Sequence, residues 1–398
     1  MCAIGFFLGA LVPSGAATQM APGEDPSARF EPARTGYRFS FPFDHGSHPS
    51  FQTEWWYYTG HLRSEHGLRF GYQLTFFRRR IRPKPIRVPP TRSKWRIDEL
   101  YFAHLAVTDL QAERFYFLDA LSREGLGKAG AEEGRLHVWI DRWSVEAADN
   151  DLGEQQLLAQ ESPARRGAEG DHPTADSLGL NLRVRPVKPI VIHGTQGVSR
   201  KGADRNQASH YYSATRMQTA GTLRLSDRTF RVTGESWMDH EFGSGDLSEN
   251  LVGWDWFSMQ LDSGEELMLY RLRRADGRSD PASSGTWVDR EGRSRHLTLD
   301  DIHVEVLDRW TSPHSGASYP SRWRVSVTPL HAAFEVTPLL ADQELRTPRS
   351  TGVTYWEGAV RITGTLDAAQ TTGRGYVELT GYAERYRPGQ RLEPTVSP

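Results

Sequence analysis

The chain has 398 residues, enough for two or three domains of ordinary size. Its formal net charge is −2, with 48 basic against 50 acidic residues, so it lacks the basic excess that a phosphate backbone demands, and nucleic acid is excluded as the main partner. The single cysteine, Cys2, can build neither a disulfide framework nor a thiolate metal site.

The first residues, Cys2-Ala3-Ile4-Gly5-Phe6-Phe7-Leu8-Gly9-Ala10-Leu11-Val12, form an apolar run too short to span a bilayer. The small residues Ser14-Gly15-Ala16-Ala17 follow and read as a signal-peptidase site, which predicts a periplasmic or secreted protein. Residues 19–34 are rich in Pro, Gly, Ala and charge and read as a linker, so 1–34 is taken as signal peptide and linker.

From there the pattern is short aromatic and β-branched runs bounded by turn residues, which predicts strands. Glu54–Leu62 and Leu68–Phe77 form a hairpin across Ser64-Glu65-His66-Gly67. Runs at 101–108, 114–118, 136–143, 178–184 and 221–225 continue the series. The segment from Arg78 to Lys94 carries no acid, and its prolines exclude an amphipathic helix, so it reads as a solvated hairpin tip. The polar stretch from Glu146 to Ser177 reads as a long surface loop. A second series of strands runs from Thr229 to Tyr382. Two such series with almost no helical periodicity predict an all-β chain of two antiparallel barrels. With a break near Ser226-Asp227-Arg228, the domains are 35–228 and 229–392.

Side chains alternate between faces along a strand. Trp55, Tyr57 and Thr59 share one face while Glu54, Trp56 and Tyr58 share the other, and Phe70, Tyr72, Leu74 and Phe76 oppose Gly71, Gln73 and Thr75. Aromatic linings with sparse polar groups suit a small-molecule pocket. The candidate ligand-binding residues are Glu54, Trp55, Tyr57, Tyr72, Gln73, Trp254, Asp255 and Trp256.

The segment from Gly234 to Gly245 is richest in chemistry. Asp239, His240 and Glu241 stand together between two predicted strands, and a histidine beside carboxylates can serve as general acid or base. Several familiar motifs fail. His240-Glu241 has Ser244 where a zinc protease would need its second histidine. Neither Gly234-Glu235-Ser236-Trp237-Met238 nor Gly316-Ala317-Ser318-Tyr319-Pro320 completes a nucleophile elbow. Gly125 to Gly130 matches the dinucleotide glycine pattern without its strand–turn–helix setting. Asp44-His45-Gly46-Ser47-His48 reads as a solvent-facing loop rather than a metal site. No metal and no cofactor is expected.

Glu54 to Gly60, Gly71 to Arg78, Trp237 to Gly243, Gly253 to Phe257 and Tyr355 to Val360 together resemble the lipocalin-like carotenoid 1,2-hydratase superfamily. The likeness is greater to its bacterial AttH-like branch, the "predicted secreted hydrolases", and runs from about Tyr37 to Tyr382. The resemblance implies two lipocalin-like barrels packed side by side, and a superfamily that includes cofactor-free hydratases and pericyclases. It also implies a site of His and Trp two residues apart, then Tyr and Asp two residues apart. Here these fall on His240 and Phe242, and on Tyr270 and Leu272. With Leu272 in the acid position, hydration would need Asp239, Glu241 or Asp255 as the acid. The leading functional reading is an exported carrier of an apolar, lipid-like or isoprenoid molecule, accessory to an ABC-type export system. The alternative is a cofactor-free hydratase or isomerase, with His240 and Asp239 or Glu241 as acid–base groups and Tyr270 orienting the substrate. A third is an interaction protein whose barrels are filled solid.

Overall fold

A computed structural model describes residues 29–83, 97–148, 153–160, 178–245, 248 and 250–384. The apolar N-terminal run with Cys2, the basic segment beyond Pro83 and parts of the 146–177 stretch lie outside the described residues. No helix among the described residues is long and apolar enough to cross a membrane.

In the first half, the strands are β1 (Thr53–Ser64), β2 (Arg69–Arg80), β3 (Glu99–Asp109), β4 (Arg114–Arg123), β5 (Ala129–Ala131), β6 (His137–Ile140) and β7 (Trp143–Ala147). They continue with β8 (Gln155–Gln160), β9 (Leu178–Pro186), β10 (Val191–Ile192), β11 (Val198–Arg200), β12 (Ala208–Leu225) and β13 (Arg228–Gly243). All thirteen lie in one antiparallel sheet of order β4-β3-β2-β1-β13-β12-β9-β8-β7-β6-β5, with β10 and β11 on β12. The second half gives β14 (Leu251–Leu261), β15 (Glu266–Arg274), β16 (Ser284–Val288), β17 (Ser294–Thr298) and β18 (Ile302–Thr311). After these come β19 (Ser318–Val327), β20 (Ala332–Pro338), β21 (Glu344–Arg346), β22 (Thr354–Leu366) and β23 (Ala369–Thr380). Their order is β17-β16-β15-β14-β23-β22-β20-β19-β18, with β21 on β22. The expected pair of antiparallel barrels is therefore a nearly closed barrel followed by a half-barrel.

Several expectations differ from the structure. Arg78, Arg79 and Arg80, read as the start of a solvated hairpin tip, are buried at the end of β2. Ser226-Asp227 is the turn between β12 and β13, both in the first sheet, so the chain passes to the second sheet only after Gly243. The polar 146–177 stretch contains β8, which pairs with β7 and β9. The run 136–143 is two strands, because Asp141 takes a positive φ of 52° and turns the chain. The hairpin between β1 and β2 closes as expected: the Ser64 amide donates to the Leu68 carbonyl at 2.8 Å, with Gly67 at φ 81°.

β1 explains why both faces of its strand read as apolar. Trp56, Tyr58 and Leu62 enter the first barrel's core with Tyr72, Leu74 and Phe76. Trp55 and Tyr57, on the opposite face, join Trp237, Trp254, Trp256, Tyr270 and Tyr376 in a cluster shared by both sheets. A strand buried on two sides needs a continuous apolar run. The half-barrel has its own core, with Phe257, Trp323, Phe334 and Trp356.

Candidate active site

The segment read as an interstrand loop is the end of β13, and strand alternation divides its three chemical groups. His240 points into the first barrel. Asp239 and Glu241 point to the seam between the sheets. The three do not form one acid–base group.

On the barrel side the hub is Glu54, which is fully buried. Its carboxylate accepts from Arg78 Nε at 2.9 Å, His240 Nε2 at 2.8 Å, His48 Nδ1 at 2.7 Å and the His48 amide at 3.0 Å. Burial alone would raise the Glu54 carboxyl; the Arg78 charge and the two imidazoles hold it well below the usual carboxylate range. Arg78 also donates to the carbonyls of His48 and Phe51 and to Glu99. Burial lowers His240. Its Nε2 bonds Glu54 and its Nδ1 lies 2.8 Å from Tyr212 Oη, so both nitrogens are used. It stacks on Trp56 at 4.8 Å. This hub pins the 44–51 segment onto the barrel. The Asp44–His48 segment is thus not the solvent-facing loop expected: Asp44, Ser47 and His48 are buried. His48, Glu54 and His240 offer atoms within 4.8 Å of one another, a spacing that could hold a metal ion. The guanidinium on Glu54 and the mutual hydrogen bonds already satisfy that set as an ion-pair hub.

The seam is different. Fully buried carboxylates face it from both sheets: Asp239 and Glu241 from β13, Glu357 from β22, Glu378 from β23, and Glu266 from β15, the last paired with Arg216 and Lys188. Asp239 accepts from Tyr211 Oη at 2.7 Å, Trp237 Nε1 at 2.6 Å and Ser213 Oγ. Burial outweighs these bonds and raises its carboxyl above the ordinary range. Glu241 pairs with Lys201 Nζ at 2.7 Å and accepts from Ser209 Oγ. Burial brings Lys201 down to about 8 despite the pull of Glu241. Glu357 and Glu378 are cross-strand neighbours in the β22–β23 register. Glu357 accepts from Tyr57 Oη at 2.6 Å, and Glu378 accepts from Trp254 Nε1 at 3.1 Å. Burial, and the charge of Glu378 next to it, push the Glu357 carboxyl well above its ordinary value. Among the described residues, Glu241 Oε2, Glu357 Oε2 and Trp55 Nε1 are buried polar atoms without a hydrogen-bond partner.

Aromatic rings frame these acids. Trp256 Nε1 donates to Tyr211 Oη at 3.2 Å, and the Trp256 ring meets Tyr57 edge-on at 5.2 Å. Tyr270 lies under Lys201, 4.7 Å from ring centre to Nζ, and its hydroxyl donates to the Arg200 carbonyl at 2.9 Å. Burial raises that phenol to about 12, so it stays protonated. Of the residues singled out in the sequence, Trp55, Tyr57, Asp239, Glu241, Trp254, Trp256 and Tyr270 meet at the seam. Gln73 sits on the seam face of β2 and donates to Thr75 Oγ1. Glu54, Tyr72 and His240 lie in the first barrel, where Tyr72 Oη bonds Ser236 Oγ at 2.6 Å. Asp255 faces the half-barrel, paired with Arg271 at 2.8 Å and Arg273 at 3.0 Å. Lys201, Tyr211, Glu357 and Glu378 were missed. A charged residue inside an apolar strand, as in Tyr355-Trp356-Glu357-Gly358-Ala359, was the available signal.

Sequence and fold comparisons agree with this architecture. The AttH-like family model matches residues 32–382. The chain belongs to the AttH-like family. An AttH from Nitrosomonas europaea is similar in structure, with 33% identity, 89% of this chain and 100% of that chain covered, and a TM-score of 0.75. Kievitone hydratase from Nectria haematococca has the same fold at 11% identity, covering 90% of this chain and 97% of its own, with a TM-score of 0.64. CghA, in complex with Sch210972, does so at 12% identity, 85% and 90% coverage and a TM-score of 0.52. No curated protein matches the chain.

Proposed function

We propose that this AttH-like protein is a cofactor-free acid–base enzyme of the hydratase or isomerase type, acting at the inter-sheet seam on an apolar, unsaturated small molecule. One observation carries the reading: the buried carboxylates Asp239, Glu241, Glu357 and Glu378 stand together among indole and phenol rings. Like charges at close range in a dry site cannot all ionise, so protons stay on the acids. A neutral carboxylic acid at ordinary pH is a competent proton donor to an electron-rich carbon. The raised acids, Glu357 and Asp239, are the donor candidates. Glu241, paired with Lys201 and with one oxygen unpartnered, is the acceptor.

In hydration, the Glu357 proton forms the new C–H bond, and the positive charge left on the neighbouring carbon faces the rings of Trp55 and Trp256. A water oxygen then bonds to that carbon and releases its proton to Glu241. Proton return from Glu241 to Glu357 through solvent closes the cycle, so atoms and charge balance. Isomerisation follows if a neighbouring C–H loses its proton instead. That a hydratase uses this fold, as kievitone hydratase does, supports the reading. His240 is reassigned from acid–base group to structure, since both its nitrogens are taken.

The test is turnover of a panel of isoprenoid alkenes in ¹⁸O-labelled water or in D₂O, read by mass spectrometry. Wild type should install the label. Glu357→Gln and Asp239→Asn should each lower the rate by about 10²-fold or more. Unchanged rates in both variants, with the label still entering, would sink the proposal.

A further inference from the structure

On the far face of β15 from Lys201, the half-barrel holds a cavity of about 360 Å³. Its wall is two-sided. Leu269, Ile302 and Val304 offer hydrocarbon; Arg271, Ser283 and Ser284 offer polar groups. The volume lies at the lower end of the small-molecule range. It sits where β17 and β18, the two ends of the second sheet, are not paired with each other, so the half-barrel does not close there.

The charge beside this cavity is not balanced. Asp255 is ion-paired with Arg271 and Arg273 and accepts from Tyr382 Oη at 2.8 Å, so two guanidiniums share one carboxylate. Arg273 stacks on Tyr382 at 3.6 Å and donates to the Thr380 carbonyl, whereas Arg271 is the guanidinium that lines the cavity. Its Nε–H is buried and has no hydrogen-bond acceptor among the described residues. A buried donor left unsatisfied costs stability, and a guanidinium is the donor best shaped for a carboxylate. We infer that the half-barrel cavity binds an amphipathic monoanion of the alkyl carboxylate type, with its head on Arg271 and its chain against Leu269, Ile302 and Val304. Tyr270 borders both this cavity and the seam, but none of the seam acids lines the cavity, and the assignment stands whether or not they catalyse.

The experiment is titration calorimetry of the full chain with decanoate and with decanol at matched concentrations. Decanoate should bind saturably at one site and at least about tenfold more tightly than decanol, the effect of one charge-assisted hydrogen bond. Arg271→Met should remove that preference. Val304→Trp, which fills the cavity from the opposite wall, should abolish binding of both. The two variants fail independently, so a melting curve showing that either one is folded suffices. Equal binding of decanoate and decanol to wild type would overturn the assignment. So would no decanoate binding by folded wild type, or unchanged decanoate binding in a folded variant of either kind.

Discussion

Glu54 and Glu357 are the same residue, equally buried, and are held in opposite protonation states. Burial alone disfavours both carboxylates, so the neighbours decide. Glu54 receives a guanidinium and two imidazoles and stays ionised. Glu357 receives one phenol and faces a second glutamate. The consequence for stability carries a definite sign. Glu357 has a folded-state carboxyl raised above its unfolded value of about 4.5. The folded chain therefore binds more protons, and stability falls as pH rises above the unfolded pKa. The amide of Glu357→Gln mimics the neutral acid and removes this dependence. The variant should melt at a higher temperature than wild type at pH 8, and near the wild-type value at pH 4.5. A variant less stable than wild type at pH 8 would show that Glu357 is ionised in the fold.

At the scale of the strand, the alternation of side chains was legible, and its consequence was not fully drawn. Trp55 and Trp56 were read correctly as belonging to opposite faces. Trp237 to Gly243 was read as a connection, so the same rule was not applied to Asp239, His240 and Glu241. Applied there, it separates the histidine from the acids. Other parts of the site were not legible, because they depend on which distant strands meet. Lys201 reaches Glu241 through the pairing of β11 with β12 and β12 with β13. Glu357 reaches Tyr57 only because two sheets pack face to face. Gly71 marks that approach within β2. A Cβ there would lie 2.5 Å from Tyr376 Oη and 2.8 Å from Ala359 Cβ, both on the facing sheet. The tyrosine can swing; Ala359 Cβ is fixed by its backbone. Gly71→Ala should therefore lower stability by about 1–3 kcal/mol, the cost of overpacking. Urea denaturation measures it, and a neutral or stabilising effect would mean that the sheets are not in tight contact at Gly71.

At the scale of the molecule, the seam is a shared interior rather than a meeting of two finished surfaces. Its cluster takes large aromatic residues from both sheets, including Trp55, Tyr57 and Trp237 from one and Trp254, Trp256 and Tyr376 from the other. Polar bonds cross it as well. Thr108 Oγ1 donates to Gln343 at 2.7 Å, and His104 and His193 bond Tyr355 and Thr286 across the gap at 2.8 Å each. The most informative crossing is Gln260 of β14. The register of β12 against β13 shifts between Ala214 and Met217, and the Gln260 side chain donates to the carbonyls of Thr215 at 2.8 Å and Ser236 at 3.0 Å beside that bulge. One sheet thus supplies hydrogen bonds that the irregularity of the other requires. Gln260→Leu keeps the volume but leaves two buried carbonyls each short of a donor, at about 1–3 kcal/mol for such a group. If each sheet depends on the other, calorimetry should show one transition in wild type, moved downward as a whole in the variant. Two transitions, with only one displaced by the substitution, would mean that the sheets fold independently and that the seam is a surface contact.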